Sequence, residues 1–382
     1  MSQTKENIKY INGLDGLRAF AVLLVIFFHY TITFPDHSSS THLSPIWKFF
    51  SIGWVGVDIF FVISGYLIAA MLIRNPINTT GDYWKYLLRR AKRLLPAYVT
   101  CSTIFIALLY TIDSNSKIIS NQYLLWTLTS NIPSIFGDRA PLGDGHINLL
   151  HFWSLALEWQ FYITFPIALA LTKSARTTAI IAILIAIISR LYLMWSHPLN
   201  FDNAIYSFTA CRGDALAFGV LTATIKPIKN QDFIKAIGLA GFLLLSTLLI
   251  LVSQSGPSFK AVPWLQSFGY SVIACASAMV VFSIANLSKT AMPIRILESR
   301  PIALIGRSSY SLYIWHLPLL PLIYGFSKKT TNSSTEHMVV TFAIAILFTI
   351  IAASISYILL EKQFMYRRPT PTIRYSPDSP VR

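Results

Sequence analysis

Stretches of about twenty predominantly apolar residues recur along the whole of this 382-residue chain, and no other feature narrows its possible folds as much. A helix rises 1.5 Å per residue, so roughly 20 apolar residues cross the ~30 Å hydrocarbon core of a bilayer. Ten such spans are predicted, at 11–34, 52–73, 94–112, 148–171, 177–195, 204–225, 236–253, 267–287, 302–325 and 338–360. A composition 54% hydrophobic and only 12% charged is too apolar for soluble domains. The expected fold class is all-α: a polytopic integral membrane protein of about ten transmembrane helices.

The basic residues orient it. Of 31 Lys and Arg, an N-terminus inside places 21 in cytoplasmic segments and four within spans (Arg18, Arg190, Arg212, Arg307). Six lie outside (Lys48, Lys117, Arg139, Lys260, Lys328, Lys329). Both termini are therefore expected in the cytoplasm. The net charge of +15 follows from this sorting and from anionic inner-leaflet lipid, so membrane lipid and no nucleic acid is the expected partner.

The first apolar run is long, carries Asp15, Arg18 and His29 and lacks a small-residue cleavage site, so it reads as a retained helix and not a secretory signal. Cys101, Cys211 and Cys275 show neither paired nor metal-type spacing, and no metal or tightly bound cofactor is expected. Residues 1–365 read as one transmembrane domain and 366–382, rich in Pro and polar residues, as a disordered cytoplasmic tail. The loop 113–147 is either an extracytoplasmic lid or a passive connector.

Ionisable residues inside spans carry the most information, because each costs several kcal/mol in lipid unless it meets a partner or a water-filled cavity. Arg18 and His29 lie eleven residues apart, about three turns plus 20° and ~16.5 Å of rise, so they share one face of the first helix. One groove along that face would hold both ends of an elongated molecule. Asp15, one turn before Arg18, is placed to neutralise it. A neutral histidine accepts a hydroxyl proton and returns it, as acyl transfer to an alcohol requires; the bland alternative is a helix–helix hydrogen bond. Glu158, mid-membrane, needs a partner, and both His29 and Arg212 are candidates. His151, near the outer interface, reads more simply as a wetted histidine. Asp58, also near that interface, precedes Ser64-Gly65-Tyr66, where the glycine permits close backbone approach.

Residues 81–96 place Lys85, Arg89, Lys92 and Arg93 on one helical face, either an interfacial anchor or a site for phosphates. Arg212 and Asp214 are expected to be buried in the sixth span, and Tyr313 and His316 lie in the ninth, where Pro318 frees a carbonyl that needs a partner.

Taken together, GLRAFAVLLVIFFH, GVDIFFVISGYLI, RRAKRLLPAY, WSLALEWQFYITFP, FTACRGDALAFG, SSYSLYIWHLP and YILLEKQF resemble, in order, the motifs of the acyltransferase 3 family of membrane O-acyltransferases over about residues 11–366. One departure is Trp159 after Glu158, where a second acidic residue is usual. The resemblance implies transfer of an acetyl or other acyl group from cytoplasmic acetyl-CoA to a hydroxyl of a cell-surface or lipid-linked carbohydrate such as O-antigen, lipopolysaccharide or exopolysaccharide, in the bacterial inner membrane. Many relatives carry an extra C-terminal SGNH hydrolase-like domain; with the last span ending near 360, the expectation here is a standalone membrane domain.

On that footing His29 and Glu158 are the expected catalytic residues. Arg18, Asp58, Ser64, Arg89, Arg90, Arg93, Arg212, Tyr313 and His316 are expected to bind substrate, with Arg89, Arg90 and Arg93 holding CoA phosphates. His29 serves as general base or as transient acyl carrier. A polysaccharide transporter or flippase is the alternative from another class, since intramembrane charges also mark translocation routes. A different membrane acyltransferase fold, of the MBOAT type, is disfavoured by the ordered motifs.

Overall fold

A computed structural model describes residues 11–33, 48–138, 140–143, 145–196, 201–226, 228–331 and 334–365. The tail expected at 366–382 lies outside them. Among the described residues, eight continuous helices are long and apolar enough to cross a bilayer, and no β-strand is formed.

The chain runs through α1 (Leu14–Ile32), α2 (Val55–Arg74) and the long α3 (Thr80–Ile112), followed by α4 (Phe152–Thr172) and α5 (Ala175–Ser196). Next come the short α6 (Asp202–Ser207), α7 (Thr209–Thr224), α8 (Gln231–Ser253) and α9 (Tyr270–Asn286). Three short helices, α10 (Arg300–Arg307), α11 (Ser309–Trp315) and α12 (Leu320–Thr330), precede α13 (Ser334–Ser356).

Three features differ from the spans read in the sequence. The basic segment 81–96 and the third span form one 33-residue helix, opened by Thr79 accepting from the Asp82 amide. The sixth span is interrupted at Phe208, whose backbone is extended between α6 and α7. The ninth breaks at Ser308 and again around 316–319, where Pro318 supplies no amide hydrogen. Both broken spans carry site residues, as expected where irregular backbone is buried in protein and not bathed in lipid.

α2 and α7 cross backbone to backbone. A Cβ on Gly65 would meet the Leu216 carbonyl, and one on Gly219 would meet that of Val62, so each helix offers a glycine to the other. Polar locks then fix the bundle. Arg190 of α5, fully buried, bonds Asp214 (2.8 Å) and the Cys211 carbonyl (2.6 Å) of α7, Ser271 of α9 (2.6 Å) and the Ser267 carbonyl (3.0 Å). Tyr30 of α1 bonds Thr349 of α13 at 2.8 Å. Outward faces of α8 and α13 present Leu243, Leu251, Leu347 and Ile350, the surface that hydrocarbon requires.

Candidate active site

Two clefts lie along α1, one against its N-terminal part (the inner slot) and one against its C-terminal part (the outer cleft), and Val57 and Tyr313 line both. The inner slot, of about 90 Å³, is lined by Arg18, Ser64, Arg90, Arg93, Glu158 and Tyr162. The outer cleft, of about 440 Å³, is lined by His29, His151, Trp54, Trp153, Tyr206 and Lys260, among others. The single groove expected to join Arg18 to His29 is thus divided, with Tyr313 and its partner Ser154 (2.6 Å between oxygens) at the division.

Pro318 builds the outer site. Having no amide hydrogen, it leaves unpaired the carbonyl four residues before it, that of Ile314, and His151 Nε2 takes that carbonyl at 3.1 Å. One residue earlier, the Tyr313 carbonyl lies 2.7 Å from His316 Nδ1. His316 Nε2 reaches His29 Nδ1 at 3.1 Å, and His29 Nδ1 is also 2.9 Å from the Val25 carbonyl. Ring centroids stand 5.0 Å apart for His29 with His316 and for His316 with His151. His29 is half-buried and lines the outer cleft, whereas His316 is 2% exposed and lines neither cleft. His151 is 1% exposed, so the wetted-interface reading does not hold: it is a packed member of the cluster. Among the described residues, no group of three His, Cys, Asp or Glu is placed to hold a metal ion.

Aromatic rings and small polar groups wall the outer cleft. Trp54 stacks on Phe259 (4.8 Å, 4°) and Trp153 packs against Tyr206 (5.0 Å). Lys260 Nζ stands 4.5 Å from the Tyr206 ring centre and donates to Asn203 Oδ1 at 2.8 Å. The loop after α3 contributes Ser130, Ser134, Asp138 and Pro141, so it forms part of the wall.

In the inner slot, Glu158 accepts from the Ser64 and Tyr162 hydroxyls, so it engages neither His29 nor Arg212. Arg18 is paired with Asp15 at 2.8 Å, as the spacing predicted. Arg90 contacts Met71 Sδ at 2.9 Å and has an unpartnered Nε. Arg89 is exposed and lies outside the slot. Asp58 is fully buried; it pairs with Arg212 at 2.8 Å, and the Arg212 guanidinium lies 4.2 Å from the Tyr270 ring centre. These two therefore bridge α2 and α7 and line neither cleft.

Sequence reasoning missed Tyr162, although its place four residues after Glu158 puts both on one helical face. It also missed Trp54, Trp153, Tyr206 and Phe259, which no local signal distinguishes in a chain with 14% aromatic residues.

A helical membrane bundle with two clefts that share Tyr313, one lined by guanidinium groups and the other by an intramembrane histidine, is the class of protein these features define. The chain belongs to the acyltransferase 3 family, whose acyltransferase domain profile matches residues 11–360. It is 31% identical over 381 residues to the O-acetyltransferase OatA of Staphylococcus aureus strain NCTC 8325 / PS 47, and equally to OatA of strain COL. These alignments cover 92% of this chain and 57% of each relative, so the chain spans little more than half their length. No solved structure matches the chain significantly.

Proposed function

We propose that the chain is a multi-pass O-acetyltransferase of the bacterial plasma membrane, taking acetyl from cytoplasmic acetyl-CoA and delivering it to a carbohydrate hydroxyl presented from the opposite face. The carrying observation is the meeting of the two clefts at Tyr313, with guanidinium groups on one side and His29 on the other.

Arg18, Arg90 and Arg93 suit the donor's phosphates, because charge-assisted hydrogen bonds from guanidinium are strong and directional. The slot, of about 90 Å³, favours an unbranched arm over a nucleotide, which leaves the nucleotide at its mouth. Stacked aromatic rings interspersed with Ser, Asn and Lys side chains suit a sugar, lipid-linked or free, in the roomier outer cleft.

In the reaction, the acceptor hydroxyl gives its proton to His29 while its oxygen bonds to the thioester carbonyl carbon. The carbon–sulfur bond then breaks and His29 returns the proton to the departing thiolate. Positioned general-base catalysis contributes about 10²–10⁴-fold. The test compares wild-type and His29→Ala proteins, matched for abundance and fold, for transfer of radiolabelled acetyl from acetyl-CoA to surface polysaccharide. Label in the wild type alone is expected. Equal label in both removes His29 from the chemistry, and a wild-type protein that never consumes acetyl-CoA favours a transporter.

A further inference from the structure

We propose that His316 is a positioning residue, a second histidine whose lone pair, together with the Val25 carbonyl, holds the tautomer of His29 and stabilises the charge His29 acquires. The inference rests on the reading of His29 as the base.

Hydrogen-bond chemistry assigns the protons. A carbonyl oxygen only accepts, so the 2.7 Å contact with the Tyr313 carbonyl requires the proton of neutral His316 to sit on Nδ1. Nε2 of His316 is then a bare lone pair. Facing it at 3.1 Å is His29 Nδ1, which must itself carry a proton because it also contacts the Val25 carbonyl at 2.9 Å. One N–H of His29 is thus shared between the Val25 oxygen and the His316 nitrogen. The remaining nitrogen, His29 Nε2, is left as the acceptor, on the ring that lines the outer cleft. Without His316, the Val25 carbonyl alone would hold the ring.

The pair also works during the reaction. When the acceptor's proton reaches His29 Nε2, the imidazole becomes a cation and its Nδ1–H strengthens toward the His316 lone pair. As the carbon–sulfur bond breaks, the proton leaves Nε2 for sulfur and the ring returns to neutrality. His316 itself gains and loses no proton. It is buried and lines neither cleft, so a substrate meets it only through His29.

His316→Phe keeps a flat ring but offers no lone pair, and His316→Gln restores an acceptor oxygen at similar reach. Steady-state kinetics of the full chain in detergent, with acetyl-CoA and surface polysaccharide, would be paired with thermal unfolding of each variant. The Phe variant is expected to lose at least about tenfold in kcat at unchanged KM for acetyl-CoA, part of the general-base contribution. The Gln variant is expected to recover most of it. ¹⁵N-histidine spectra of the wild type would show His29 protonated on Nδ1. A Phe variant with wild-type kcat, a loss confined to KM, a loss that tracks unfolding, or a Gln variant as impaired as Phe overturns the inference. Absence of transfer by the wild type overturns the proposed function first and this inference with it.

Discussion

The hydroxyl of Tyr313 lies 2.6 Å from Ser154 Oγ, and the pair stands where the slot from one face meets the cleft from the other. On the proposed function, removing the ring in Tyr313→Ala is expected to join the two spaces and admit water to the thioester. The expected result is a severalfold rise in acetyl-CoA hydrolysis without acceptor, read as thiol release, while Tyr313→Phe keeps the wall and stays near wild type. Thiol release from the Ala variant at the wild-type rate would mean that the partition lies elsewhere.

Arg93 lines the slot and Arg89, on the exposed face of the same helix, does not. A hydrogen bond to a charged group contributes about 1.5–3 kcal/mol, which corresponds to roughly 10- to 100-fold. Arg93→Gln is therefore expected to raise KM for acetyl-CoA by that factor with kcat little changed. Arg89→Gln should shift it less than about threefold. Initial-rate titrations with acetyl-CoA separate the two, and equal effects would contradict the placement of the slot.

Arg190 and Asp214 are fully buried and tie three helices. Losing one partner strands the other charge, at a cost of about 3–5 kcal/mol. Asp214→Ala is expected to unfold well below the wild type in detergent. The double variant Arg190→Met with Asp214→Leu, which leaves no buried charge behind, should be more stable than the single one. Thermal melts that rank the double variant below the single one would refute this account.

Pro318→Ala would return an amide hydrogen to the Ile314 carbonyl and compete with His151 for it. A more continuous helix is expected to melt no lower than the wild type yet transfer acetyl more slowly, as with many substitutions that relax a functional break. Rate and melting temperature measured on one preparation would decide it; a faster enzyme would contradict the role given to the break.

What the chain makes legible is whatever depends on neighbours along one helix. Apolar run length gave the membrane bundle, and the three-residue spacing of Asp15 and Arg18 gave their ion pair. Pairings between helices were not legible, because periodicity tells which face is polar and not which helix it meets. Glu158 could face His29, Arg212 or Ser64 on its own merits, and only the crossing of α2 with α4 selects Ser64. Asp58 and Arg212, 154 residues apart, are joined by the glycine-mediated approach of α2 and α7. His151 was misread as wetted because its burial depends on a distant proline that leaves a carbonyl for it.

If the proposed function holds, two clefts that share one tyrosine make the bundle a relay rather than a conduit. On the proposed reading, two carbons change sides while the nucleotide carrier and the sugar each remain in the compartment where they began. Spent CoA then accumulates beside the metabolism that recharges it, and decoration of the far surface is throttled by cytoplasmic thioester supply without any export step for the donor.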